Sequence, residues 1–539
     1  MNSKRFVHAL KRLINKHVYI VAFSAIYLAA SLLLYKDFGV TYDEKVEYDA
    51  GKYLSAYLVT PTTLEYTTKL VNDKSDNIKY SHQLPLFSTY SRVYPALLNI
   101  LNPSYYFEWF HLQNLILGLF LFLFSYAILY LVYDDGSRAI VGPALLLLTP
   151  AVSGHIPANP KDIPFATIFL LGILLITYFM KYPKNKSVEI LALGVVFGIA
   201  QSMRIVGATL FVVYVLFSIF RLVTGKESWA KTLLNSTLIL MISLFIWVLS
   251  VPFLGTNFFA NLIYIVTEST EFQTWNHKIL YMGEFLSKER RPWHYLPVLL
   301  SLQLPLSVLL SLGSGLFLII RKKLRYNVSH PVSIISVTIL INFIIYIVLH
   351  PVVYNGIRHF LYLAVCLVLL ASFFLVDLYN KAKTKQKFVL LSSVSIYLLF
   401  TLVRMIFLHP YEYIYYNELI GGLRGANKNF ELDYWGAAYK ESAQRVLKNV
   451  QGTGINNLKV YACDNQFSVV YYSQFQYELV GRSRDADVII CDTFNEQLRK
   501  QTDDAAYQNT FPIVYEIKRE NTPIHVIRVS QRLYGQFNY

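Results

Sequence analysis

Charge is scarce in this chain of 539 residues: Asp, Glu, Lys and Arg make up 15% of it, against 55% apolar residues and a mean hydropathy of +0.39. Soluble proteins carry about 25% charged residues, so the shortage argues against a purely soluble enzyme. Cysteine is scarcer still. Three Cys exclude a disulfide scaffold, and none forms a CxxC metal or redox pair. The histidines lack HxH or HxxxH spacing, so no metal site and no cofactor are expected. Internal repeats and low-complexity tracts are missing too. Aromatics, by contrast, are abundant: 42 Tyr, 36 Phe and 6 Trp are far too many for a disordered chain.

What the chain does have is long apolar runs, at 18–35, 109–133, 139–155, 163–180, 188–203, 205–220, 232–254, 294–320, 331–350, 358–376 and 388–408. A bilayer crossing needs about 20 apolar residues, so these read as about eleven spans, with 188–203 and 205–220 short and meeting at Arg204. The first run is too long for a signal peptide, and no small-x-small cleavage site follows it. The expected fold class is mainly α: a polytopic membrane helical bundle over residues 1–408, with outer loops 36–108 and 255–293. Residues 409–539 form an extracytoplasmic region with a small α/β domain. Its strands are expected at 458–463, 467–472, 487–491, 512–518 and 523–529, its helices near 437–449 and 494–501.

The net charge of +15 first suggests an acidic partner such as nucleic acid. Its distribution points elsewhere. With the N-terminus cytoplasmic, the connections 1–17, 134–138, 181–186, 221–231, 321–325 and 377–387 together carry +16, leaving −1 everywhere else. The excess therefore records topology, with the C-terminus extracytoplasmic and no nucleic-acid partner.

Chemistry is expected on the nearly neutral outer face. Asp43 and Glu44 stand in GlyValThrTyrAspGlu (39–44), just beyond the first span. A partly desolvated carboxylate there suits a general base; the alternative is a helix N-cap at Thr41 or Asp43. Glu47 and Asp49 read as a solvated face. Asp162 lies in HisIleProAlaAsnProLysAspIlePro (155–164), a short outer loop stiffened by proline; a plain interfacial turn is its alternative. Arg204, Arg358 and His359 sit at outer helix ends, where converging Arg forks match phosphate oxygens, whereas Arg290 and Arg291 read as snorkelling side chains. Cys463 and Cys491 each end an expected strand and are read as unpaired buried thiols, a disulfide being the other possibility. The DxD spelling of Asp485 and Asp487 precedes its strand and is set aside, and the sequons at Asn185, Asn235 and Asn327 fall on cytoplasmic edges.

The order of several segments resembles the GT-C superfamily of polytopic glycosyltransferases, especially glycosyltransferase family 39, which includes protein O-mannosyltransferases and lipid A aminoarabinose transferases. The segments are AspGlu (43–44), HisGlnLeuProLeuPhe (82–87), AsnProLysAspIlePro (159–164), ArgProTrpHisTyrLeuPro (291–297) and GlyIleArgHisPheLeuTyr (356–362). HisProTyrGluTyrIleTyrTyrAsnGluLeu (409–419) and PheGluLeuAspTyrTrpGly (430–436) complete a match over roughly 18–440. One departure is HisGlnLeuProLeu where the family usually has Lys- or His-Pro-Pro-Leu, which leaves His82 without an assigned role. The resemblance implies a hexosyl- or pentosyl-type transferase using a polyprenyl- or dolichyl-phosphate sugar donor. Transfer to a hydroxyl acceptor (glycan, lipid or protein) would proceed with inversion on the extracytoplasmic face. It further implies Asp43 as general base, Glu44 as its support, Asp162 as the second acidic loop, and Arg204, Arg358 and His359 as holders of the lipid phosphate. A transporter or lipid flippase is the competing class, but it would show paired halves with matching broken helices, and this sequence has no internal symmetry. A polymerase or ligase moving whole glycans would share the same features.

Overall fold

Uninterrupted apolar runs fold as helices in lipid because every backbone polar group must be satisfied within the segment. The computed structural model describes residues 15–45, 47, 106–183, 187–251, 254–255, 257–271, 277–450, 458–474, 476–500 and 510–535. Asp49, the stretch 82–87 with His82, residues 274–276, the sequon at Asn185 and most of the first outer loop lie outside the described residues.

Among the described residues, seven helices are long and apolar enough to cross a membrane, or eight counting one bent pair as a span. In chain order the main helices are α1 (Val18–Leu34), α2 (Tyr106–Tyr133), α3 (Asp162–Lys181), α4 (Ser187–Met203), α5 (Thr209–Val223) and α6 (Trp229–Ser250). They continue with α7 (Tyr295–Gln303), α8 (Leu306–Ile320), α9 (Pro331–Leu349), α10 (Leu361–Lys381) and α11 (Thr384–Leu408). Three expected spans are shorter: α1, α4 and the broken segment Gly136–Leu147. At 1.5 Å per residue that last segment rises only about 18 Å, well short of a bilayer core of about 30 Å. The run 294–320, read as one span, is the bent pair α7–α8, turned through 113°. Pro305 explains the corner, since it disfavours helical backbone at the residue before it, and Leu304 is extended at φ −85°, ψ 139°.

Helices α3 and α10 form the centre of the bundle and bury most of their side chains, whereas α11 buries only Thr401, Arg404 and Leu408. Arg404 fastens the C-terminal end of α11 to the C-terminal region: Nε and Nη2 donate to the Glu520 carboxylate at 2.6 and 2.8 Å, and Nη1 to Glu418 at 2.9 Å.

A two-stranded hairpin, β1 (Ile279–Tyr281) and β2 (Glu284–Leu286), lies between α6 and α7. The C-terminal region holds helices α12 (Tyr439–Val450), α13 (Gln466–Tyr472) and α14 (Thr493–Lys500) around a five-stranded sheet. Its strands are β3 (Leu458–Ala462), β4 (Tyr477–Leu479), β5 (Val488–Asp492), β6 (Ile513–Arg519) and β7 (Thr522–Val529), ordered β4-β3-β5-β7-β6. β3 runs parallel to both β4 and β5, and β7 antiparallel to β5 and β6. One expected strand is corrected. Residues 467–472 are helical because the Asn465 side chain caps them, accepting from Ser468 N at 3.2 Å; the strand that pairs with β3 is instead β4. The thiol reading is also corrected: Cys463 and Cys491 are disulfide-bonded, with Cα atoms 4.9 Å apart. Cys463 follows β3 and Cys491 is the penultimate residue of the adjacent parallel strand β5; Ala462 stands opposite Ile490, so the next pair falls within bridging range.

Candidate active site

The loop after α1 leads into a helical turn at 42–45 that carries both acids of the first motif, and it sends them in different directions. Asp43 faces a cavity of about 830 Å³ between the bundle and the C-terminal region. Its Oδ2 accepts from Arg358 Nη1 at 2.6 Å. Glu44 turns away and is fully buried: Oε2 accepts from Thr41 N at 2.8 Å and from Thr41 Oγ1 at 3.2 Å, while Oε1 lies 2.8 Å from His111 Nε2. Burial pushes the Glu44 carboxyl above its ordinary range, opposed by His111 and Thr41. Thr41 and Glu44 thus make the return half of a capping box, in which the third residue of a helix accepts from the N-cap amide. The N-cap alternative therefore holds at Thr41, and the cavity-facing position belongs to Asp43.

Arg358 opens α10 in a 3₁₀ turn, Arg358–Phe360, with only 4% of its surface exposed. Its guanidinium lies 4.9 Å from the Tyr354 ring and 5.6 Å from the Trp435 ring, a cation–π bracket that fixes its plane. Nη1 holds Asp43, while Nε has no hydrogen-bond partner. His359 also lines the cavity and meets the Tyr354 ring edge-on at 4.7 Å.

Arg204 lies in extended backbone between α4 and the 3₁₀ turn Ile205–Ala208, and this break lets it enter the cavity wall. It donates through Nη2 to Asp162, and its Nε is unpartnered. Asp162 is 2% exposed and stands behind Arg204 rather than on the cavity surface. Asn159 orients the turn: its Oδ1 accepts from Lys161 N and Asp162 N at 3.1 and 2.7 Å, and its Nδ2 donates to Asp162 Oδ2 at 3.1 Å. Glu47 corrects its solvated-face reading. It is buried, lines the cavity and has Oε1 3.7 Å from Lys161 Nζ. Arg291, read as snorkelling, is 8% exposed and donates to Val353 O at 3.4 Å.

Four carboxylates that sequence reasoning did not assign line the opposite wall: Glu431, Asp433, Asp464 and Asp492. Glu431 accepts from Leu280 N at 3.3 Å, and burial, with Asp492 adding to it, pushes its carboxyl up to about 8. Burial likewise raises Asp464 to about 6, against a hydrogen bond from Tyr42. Burial also works on Asp433, but His525 and Tyr413 outweigh it and hold that carboxyl below its ordinary value. The signals were the PheGluLeuAspTyrTrpGly stretch and the repeated Cys-Asp at 463–464 and 491–492. Among the described residues no group of three or more His, Cys, Asp or Glu could hold a metal ion.

Below the arginines the cavity becomes apolar, with Ile205, Val206 and Val212 on one side and Ile345 and Leu349 of α9 on the other. Val212 and Leu349 are about half exposed, so this end opens at the side of the bundle.

No protein-family model and no curated protein matches the sequence. Solved structures do. The crystal structure of ArnT from Cupriavidus metallidurans bound to undecaprenyl phosphate superposes with a TM-score of 0.52 at 12% identity, covering 98% of this chain and 99% of that one. The chain has the GT-C fold. The apo state of the same ArnT gives 0.50 at 12% identity, over 97% of this chain and 98% of the other. The GT-C likeness covers the membrane helices and the C-terminal region alike, so the sheet domain belongs to the shared architecture, although the sequence resemblance stops near residue 440.

Proposed function

We propose that this chain is a membrane glycosyltransferase, akin to family 39, that moves a sugar from a polyprenyl- or dolichyl-phosphate carrier to a hydroxyl acceptor with inversion. The observation that carries the reading is a pair of arginines on one cavity: Arg358 lines it while holding the Asp43 carboxylate through Nη1, and Arg204 lines it too. Two guanidinium forks on one cavity suit a phosphate, whose oxygens they match. ArnT from Cupriavidus metallidurans was solved with undecaprenyl phosphate, and the side opening lined by Val212 and Leu349 suits a carrier tail lying in the bilayer.

In this mechanism the acceptor oxygen attacks the anomeric carbon as Asp43 takes its proton. The bond from that carbon to the phosphate oxygen breaks, and the electron pair leaves with the lipid phosphate. Arg358 and Arg204 stabilise the charge developing on the leaving group, and because Arg358 also grips Asp43, base and leaving group are positioned from one rigid cation. His359 belongs with the phosphate side, whereas Glu44 and Asp162 act from behind by fixing the loops that carry Asp43 and Arg204. The disulfide supports the extracytoplasmic placement of the C-terminal region, since such bonds persist in oxidising compartments.

The test is turnover of labelled undecaprenyl-phosphate sugars by the purified protein in lipid nanodiscs, read as release of undecaprenyl phosphate. Asp43→Asn should lower the rate by about 10²- to 10⁴-fold, the span expected for loss of a general base, with the protein still folded and inserted. Full turnover in that variant would remove Asp43 from the mechanism.

A further inference from the structure

The loop that carries Asp43 is held from the C-terminal domain. Tyr42 N donates to Trp435 O at 3.4 Å, and Lys440 Nζ and Tyr472 OH donate to Phe38 O at 3.1 and 3.4 Å. Asn465 makes the most specific of these ties. It follows β3 by three residues, is 6% exposed, and has a positive φ of 27°, a conformation that Asn tolerates better than most residues. Its Nδ2 donates to Val40 O at 2.8 Å and Gly436 O at 3.0 Å, its Oδ1 accepts from Ser468 N, and its own N–H donates to Tyr42 OH at 3.1 Å. One residue therefore joins Val40 and the Tyr42 hydroxyl, on either side of Thr41, to the PheGluLeuAspTyrTrpGly segment and to the start of α13. Asn465 is itself anchored, because the disulfide at Cys463 locks this end of β3 to β5.

We propose that Asn465 is a positioning residue for Asp43, and that this disulfide-locked strand end is what the C-terminal domain contributes to catalysis. The inference rests on Asp43 being the base. A carboxylate must stand within hydrogen-bonding reach of the acceptor hydroxyl when the anomeric carbon is attacked, and a misplacement of about 1 Å can cost about 100-fold in rate. Arg358 fixes the carboxylate at its tip. Asn465 fixes the Val40 carbonyl, three residues earlier, through its side chain and the Tyr42 hydroxyl through its own N–H, and these restraints together define where Oδ points. Lipid-phosphate binding depends on Arg204 and Arg358, which Asn465 does not touch.

Asn465→Asp isolates the role, since a carboxylate still accepts from Ser468 N and keeps α13 capped but cannot donate to Val40 and Gly436. Three measurements are made on the full-length protein in nanodiscs. Hydrogen exchange should rise in 38–45 and stay unchanged in 458–462. Affinity for undecaprenyl phosphate should stay within about twofold, while kcat with the donor turned over by the wild type falls by about 10- to 100-fold. Asn465→Ser, which caps without adding charge and cannot bridge both carbonyls, should give the same three results, and it replaces the Asp variant if that one does not fold. Unchanged exchange in 38–45, unchanged kcat, or an affinity loss matching the loss in kcat would each overturn the proposal. If Asp43→Asn is fully active, the reading of the base falls first; if it is inactive while both Asn465 variants turn over normally, the clamp alone fails.

Discussion

Glu431 sits where the membrane bundle, the second outer loop and the C-terminal region meet, and its carboxyl is raised by burial from an ordinary 4.5 to about 8. The folded protein holds a proton there that the unfolded chain releases within this window. The stability contributed by neutral Glu431 is therefore complete below 4.5 and is lost as the pH climbs through about 8. Asp464, raised to about 6, acts in the same sense over a narrower range. Glu431→Gln should flatten the decline of melting temperature between these limits, and a variant with the wild-type pH slope would show that another group carries it. Asp43, Arg204 and Arg358 were legible in the sequence because a charge beside an apolar run stands out in a chain so poor in charge. The Thr41-x-x-Glu44 spacing carries a capping-box signal for Glu44. Its other partner, His111 from another helix, is 67 positions away and no spacing rule indicates it.

At the scale of elements, the loop 36–42 is packed so closely under the C-terminal domain that Gly39 has no room for a side chain: a Cβ there would overlap the carbonyl oxygen of Ala437. Backbone cannot yield as a flexible side chain would. Gly39→Ala should therefore cost about 1–3 kcal/mol, the range for forced overpacking, and lower turnover by shifting Asp43; a denaturation midpoint equal to the wild type would contradict this. The same dependence on neighbours explains the misread segment 467–472. Its Val, Tyr and Phe content favours a strand, but Asn465 supplies a cap and Val469 and Tyr472, three residues apart, share the buried face of a helix. The α7–α8 corner, by contrast, is written locally in the Leu304–Pro305 pair.

For the whole molecule, the charge distribution predicts a sidedness that a reporter can check. Alkaline phosphatase fused after Tyr539 should be active in cells, and the same enzyme fused within the basic connection 377–387 should be inactive; the reverse pattern would invert the orientation. Composition and periodicity determined the class of protein by themselves, since apolar length and the placement of Lys and Arg are sums over local residues that a bilayer reads directly. They also singled out Asp43, Arg204, Arg358 and His359, which line one cavity. Tertiary structure alone decided which acids meet the arginines, that Cys463 and Cys491 are joined, and that the sheet domain reaches down to Val40 and forms the acidic wall. Those facts depend on contacts between residues from 28 to 425 positions apart, where packing rather than sequence spacing sets the distance.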